Sequence, residues 1–96
     1  MKPIHILIAD DHAVVLEGLA AMIGRQPDMK IVGQATNGEQ AVAEWGKHHP
    51  DISLFDLRMP VLDAIGAMSR IHGKDPSARV IVLKADNDGA QVIVKE

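Results

Sequence analysis

Residues 4–24 read IHILIADDHAVVLEGLAAMIG, and within this stretch the chain changes its period. Ile4 to Ala9 is an unbroken apolar run, suited to a strand buried on both faces. After Asp10 and Asp11, the residues Val15, Leu16, Leu19, Met22 and Ile23 recur at helical spacing, which predicts an amphipathic helix over residues 12–25. Gly24 and Pro27 bracket its end.

The alternation repeats down the chain. Ile31 and Val32 suggest a weaker second strand, closed by Asn37-Gly38. Residues 38–48 carry Ala41, Val42 and Trp45 on a second helix that stops before Pro50. Ile52 to Phe55 reads as a third strand that delivers Asp56 at its C-terminal end. Met59-Pro60 turns the chain, Asp63 can cap a third helix running to about Ile71, and Gly73 and Pro76 end it. Residues 79–83, RVIVL, are the clearest strand of all. Strands alternating with helices imply parallel βαβ units, so one α/β domain fills residues 1–96.

Composition narrows the function classes. The chain has 96 residues, 47% hydrophobic and 24% charged, enough for one small core. No apolar run approaches the ~20 residues of a membrane-spanning helix. The first apolar stretch meets Asp10 and Asp11 at once, unlike a secretory signal. The absence of cysteine excludes a disulfide framework and thiolate metal sites, and fits a cytoplasmic location. Net charge is −3, Lys and Arg are scattered singly, and Trp45 and Phe55 are the only aromatics, so direct nucleic-acid binding is not expected.

In a parallel sheet of this kind, ligands bind beyond the carboxyl ends of the strands. Asp10, Asp11 and Asp56 all arrive at that edge. Three converging carboxylates repel unless a cation sits among them, and an all-oxygen donor set suits Mg2+. From the acids alone a plainer role stays open, in which Asp10 and Asp11 serve only the start of the first helix.

The segments ILIADDHAVVLEGL, GQATNGEQAV, DISLFDLRMP and ARVIVL together resemble the receiver domain of bacterial response regulators, in the NarL/FixJ-type branch, over residues 4 to about 86. The resemblance implies a flavodoxin-like (CheY-like) doubly wound parallel sheet. It implies that Asp56 is the phosphoacceptor, taking a phosphoryl group from a sensor histidine kinase. Asp10, Asp11, Asp56 and the backbone carbonyl of Arg58 would hold Mg2+. Such a module turns over no external substrate and is not expected to be an enzyme. The parent protein would regulate transcription, binding DNA through a separate helix-turn-helix domain.

Three departures qualify the likeness. Lys84 stands where the family has Thr or Ser, and is expected to pair with Asp56 and oppose cation binding, to reach the phosphoryl group, or to carry its ammonium out to water on its flexible stem. Val61 and Ala64 stand where the family has glycine, which predicts a shifted loop. The fold is also incomplete at the C-terminus, since only ADNDGAQVIVKE follows Leu83-Lys84. Either Asn87 begins a fourth helix, or the helix is deleted and Val92 to Glu96 resemble the fifth strand with its lysine, Lys95. Residues 84–91 are too few for a parallel crossover, and Asp88-Gly89 is a hairpin signal, so extended structure antiparallel to the fourth strand is favoured. The segment could instead pair with another chain, and the fourth strand, if it forms a sheet edge, would invite a homodimer through the C-terminal strand edge.

Other residues attract plainer readings. His48 and His49 sit at a helix end and cannot face one ligand together. His12 follows the acids without an assigned role, Trp45 reads as partly buried, and Met22, Met59 and Met68 read as core filler. Two alternatives to the phosphoacceptor are a degenerate receiver acting as a phosphorylation-independent interaction module and an aspartyl-nucleophile phosphatase. The second lacks the further acid expected two residues after Asp56, where Arg58 stands.

Overall fold

The computed structural model describes the backbone of residues 2–86 and 89–95 and the side chains of residues 2–83. Eight elements follow one another: β1 (Ile4–Ala9), α1 (Ala13–Gly24), β2 (Met29–Ala35), α2 (Gly38–His48), β3 (Ile52–Asp56), α3 (Ala64–Lys74), β4 (Val80–Asp86) and β5 (Gly89–Lys95). They form one sheet in the order β2-β1-β3-β4-β5. The first four strands are parallel and β5 runs antiparallel to β4. No helix among the described residues is long and apolar enough to cross a membrane.

The period change at Asp10 translates into two differently packed faces. On one, α2 and α3 bury Ala41, Val42, Trp45, Ala67, Met68 and Ile71 against Leu7, Phe55, Val80 and Val82. On the other, α1 sets Leu16 and Ile23 against Ile6 and Ile8. Local chemistry fixes the helix starts: the side chain of Asn37 accepts from the Gln40 N–H, and that of Asp63 from the Gly66 N–H, at 2.8 Å each. The N-cap of α1 is His12, which makes no side-chain cap bond, so neither Asp10 nor Asp11 holds that position.

Several expectations need correction. Met22 is 58% exposed and Val15 40%, because α1 is the one described helix on its side of the sheet and only a narrow stripe of it meets a neighbour. Met22 is therefore not core filler, whereas Met59 and Met68 are buried. Trp45 is fully enclosed instead of partly buried, and α3 runs one turn past Ile71. The second strand extends well beyond Ile31 and Val32, with its register slipping between Ile6 and Leu7 of β1.

Residues 89–95 take the extended alternative. Lys84 pairs with Gln91 and Val80 with Lys95, which makes β4 and β5 a hairpin. The edges of the sheet are thus β2 and β5, and β4, the edge on which the homodimer expectation depended, is paired within the same chain.

Candidate functional site

Strands β1 and β3 lie side by side with Ala9 opposite Phe55, so the next residues, Asp10 and Asp56, leave the sheet at one edge. This edge is also the switch point of the topology, since the chain passes from β1 to β2 on one side and reaches β3 on the other. Beyond it, the Leu57 N–H donates to the Leu83 carbonyl at 2.8 Å and fixes the chain as it leaves Asp56.

Asp10, Asp11, His12 and Asp56 each offer a donor atom here, all within 4.8 Å of one another. Asp10 is 6% exposed. Its Oδ1 accepts from the His12 backbone N–H at 2.8 Å and lies 2.9 Å from His12 Nδ1. The same Nδ1 lies 3.1 Å from Asp11 Oδ1.

Electrostatics follow from this crowding. Burial, and then the charges of Asp10 and Asp11, push the Asp56 carboxyl above its ordinary value; His12 and the Leu57 N–H offset this only in part. The imidazole of His12 is raised in turn, first by its hydrogen bond to Asp10 and then by the charge of Asp11. A carboxylate that resists ionisation among acids is a site short of positive charge. Three carboxylates of this spacing fit a hard divalent cation with oxygen ligands, so the donor set suits Mg2+.

The structure brings together Asp10, Asp11 and Asp56 as the sequence predicts, and sets the exposed residue Arg58 two positions beyond Asp56 on the loop before α3. The backbone of Lys84 follows Leu83, the partner of Asp56 in β4, while its side chain lies outside the described residues. Lys95 does not come to this edge. Because β5 is antiparallel, Lys95 pairs with Val80, three residues below Leu83, about 10 Å along the strand. The gapped alignment requires a parallel fifth strand, and that requirement is not met.

The contact of the His12 ring with Asp10 was not anticipated from the sequence. The position of His12 two residues after Asp10 was the available signal, because a side chain there can fold back over the acid that ends the strand. The loop after β3 holds a further surprise: Val61 keeps a left-handed backbone, φ 71°, where a shifted loop was expected. Ala64 is simply the first, fully buried residue of α3. His48 contacts Glu44 within α2 at 3.0 Å, and His49 ends that helix with φ 45°.

Residues 6–95 match the response regulator receiver domain family. The chain is 33% identical over 92 residues to the nitrate/nitrite response regulator protein NarL of Escherichia coli strain K12, covering 96% of this chain and 43% of that protein. It is 39% identical over 88 residues to the uncharacterized transcriptional regulatory protein YhcZ of Bacillus subtilis, covering 92% of this chain and 41% of that protein. Among solved structures, the response regulator domain of Thermotoga maritima CheB superposes with a TM-score of 0.84 at 36% identity, over 92% of this chain and 66% of that one. The signal receiver domain of NarL from Mycobacterium tuberculosis gives a TM-score of 0.86 at 25% identity, over 91% and 70%. The chain thus spans less than half the length of the two regulators.

Proposed function

The chain belongs to the response regulator receiver domain family, and from that membership we propose that it accepts a phosphoryl group on Asp56 from a sensor histidine kinase. The observation that carries this reading is the convergence of Asp10, Asp11 and Asp56 at the switch point of the sheet.

In the proposed step, an Asp56 carboxylate oxygen attacks phosphorus. A P–O bond forms as the donor's P–N bond breaks, and the donor imidazole leaves with the electron pair. Asp10, Asp11 and the Arg58 carbonyl would hold Mg2+ beside Asp56. When bound, Mg2+ supplies positive charge against the phosphoryl oxygens and offsets the repulsion among the acids. Asp56 stands fixed at the strand end by the Leu57–Leu83 hydrogen bond, which limits the directions from which a donor can approach in line.

The output is proposed to be transcriptional, through a separate DNA-binding helix-turn-helix domain in a cytoplasmic parent protein. The similarity to a nitrate/nitrite response regulator and to a transcriptional regulatory protein, each more than twice as long as this chain, supports this. Residues 1–96 would then be its receiver domain.

Lys84, standing at the family's hydroxyl position, favours a second reading, a receiver that binds partners without being phosphorylated. Intact-mass measurement after incubation with Mg2+ and phosphoramidate separates the two. The phosphoacceptor reading expects a gain of one phosphoryl group, absent in Asp56→Asn. No gain in the natural chain, with a gain in Lys84→Thr, would establish the second reading.

A further inference from the structure

The amino ends of β1, β3 and β4, opposite the acidic edge, border a cleft of about 540 Å3. That volume is in the range of small-molecule sites. The length of β1 separates the two ends by about 17 Å, and the cleft shares no residue with the acidic cluster. Lys2 and Arg79 line it, and among the described residues neither forms an ion pair. Its one acid, Asp51, is already engaged. Asp51 Oδ2 accepts from the His5 N–H, and the Asp51 N–H donates to the His5 carbonyl, both at 2.8 Å. These two bonds tie the start of β3 to β1 and give the cleft a fixed wall.

The rest of the lining is apolar, from Pro3, Ile4 and Ile52. Side chains alternate along a strand, and Val80 and Val82 pack on the side of α2 and α3, so Arg79 and Ile81 face the side of α1. Leu54, the partner of Ile81, packs with the α1 cluster, and Ile52 faces the same way. Because α1 lies over β1 and β2, Ile52, Leu54 and Ile81 stay partly exposed, and an apolar strip leads away from the two cations. We propose that the cleft binds an aliphatic monocarboxylate, its headgroup between Lys2 and Arg79 and its chain over Ile52 towards Leu54 and Ile81. Charge balance selects the headgroup. Two cations against one acid leave a single positive charge, which a carboxylate matches and a doubly charged phosphate ester exceeds. The planar fork of Arg79 can hold both carboxylate oxygens, with Lys2 as a second point charge. The apolar strip selects the chain, since each methylene taken from water there adds affinity. No Phe, Tyr or Trp lines the cleft, so a flat base has no stacking platform.

Titration of the whole chain with octanoate, followed by backbone amide NMR, tests this. Saturable shifts are expected at His5, Asp51, Ile52 and Arg79, and none at Asp11 or Asp56. Acetate lacks the chain and 1-octanol lacks the charge, so each should bind more weakly by about threefold or more. Octyl phosphate should bind no more tightly than octanoate. Lys2→Gln and Arg79→Gln should each weaken octanoate about two- to fivefold, the usual worth of an exposed ion pair, and Arg79→Lys should restore part of the loss. Both positions are exposed, so these variants should keep the amide spectrum of the natural fold. The titration of the natural chain needs no variant and stands whatever their folding. The absence of saturable shifts at the cleft in the natural chain would overturn the site. Undiminished binding by a folded double variant, Lys2→Gln with Arg79→Gln, would overturn the role of the two cations. Equal affinity for acetate or 1-octanol, or tighter binding of octyl phosphate, would overturn the assignment of the ligand.

Discussion

A Cβ placed on Gly38 would overlap the carbonyl oxygen of Leu62 and stand 2.6 Å from its carbonyl carbon. The first residue of α2 is therefore in backbone contact with the loop that carries the chain away from Asp56, and only glycine leaves room for that approach. Gly38→Ala should destabilise the fold by about 1–3 kcal/mol, the usual range for forced overpacking. Gly46, on the exposed side of the same helix, has nothing within 4 Å of such a Cβ. Gly46→Ala should stabilise by roughly 0.5–1 kcal/mol. Urea midpoints of the pair check both signs together.

Val61, one residue before Leu62, is 77% exposed and holds φ at 71°. A β-branched residue in the left-handed region is strained by about 1–2 kcal/mol. Glycine relieves that strain but gives the unfolded chain more freedom, so Val61→Gly should gain only about 0.5–1 kcal/mol. A lowered melting temperature in that variant would show that the Val61 side chain packs in a way its exposure does not suggest.

Ser53 is 1% exposed, and its Oγ finds no hydrogen-bond partner among the described residues. An unpaired buried hydroxyl costs about 1–3 kcal/mol, and Ser53→Ala removes it while opening almost no space. The variant should be the more stable, read as a higher urea midpoint with an unchanged slope.

The acidic edge makes stability depend on pH with a definite sign. Asp56 is raised above its ordinary 3.8, so the folded chain holds that proton more tightly than the unfolded one. Its contribution is complete below 3.8 and is lost as pH rises through the folded value. His12, raised above 6.5, contributes fully below 6.5 and loses that contribution as pH climbs through its own folded value. Asp75, lowered by the hydroxyl and backbone N–H of Ser77, acts the other way: its contribution is present above 3.8 and is lost as pH falls through its folded value. Without divalent ions, melting temperature should therefore decline in two steps from weakly acid to alkaline solution. Asp56→Asn should abolish the first step and raise stability at neutral pH, and millimolar Mg2+ should flatten the decline.

Most of this architecture was legible because its signals are local. The run Ile4 to Ala9, the caps Asn37 and Asp63, and the turn at Met59-Pro60 each act within a few residues. Asp10 and Asp56 could be joined on paper because parallel strands put their C-terminal residues on one edge. What the sequence could not show depends on distant neighbours. Met22 and Leu16 look alike in a helical pattern, and only the bareness of the α1 side of the sheet separates them. The closeness of Gly38 to Leu62 spans two elements, and no periodicity announces it. The ring of His12 follows from one torsional choice at a helix start, made in favour of two acids over the helix N-terminus.

The direction of β5 also sets how the sheet responds to mechanical load. Lys95 pairs with Val80 at the open end of the β4–β5 hairpin, and the strand leads from there towards Gly89 opposite Asp86. The hydrogen bonds of an antiparallel pair lie perpendicular to its strands. Tension applied near Lys95 and directed across the sheet, away from a handle at the start of β1, meets those bonds one after another. The strand would peel like a zipper at low force, leaving β2-β1-β3-β4 and its acidic edge intact for a second, more resistant event.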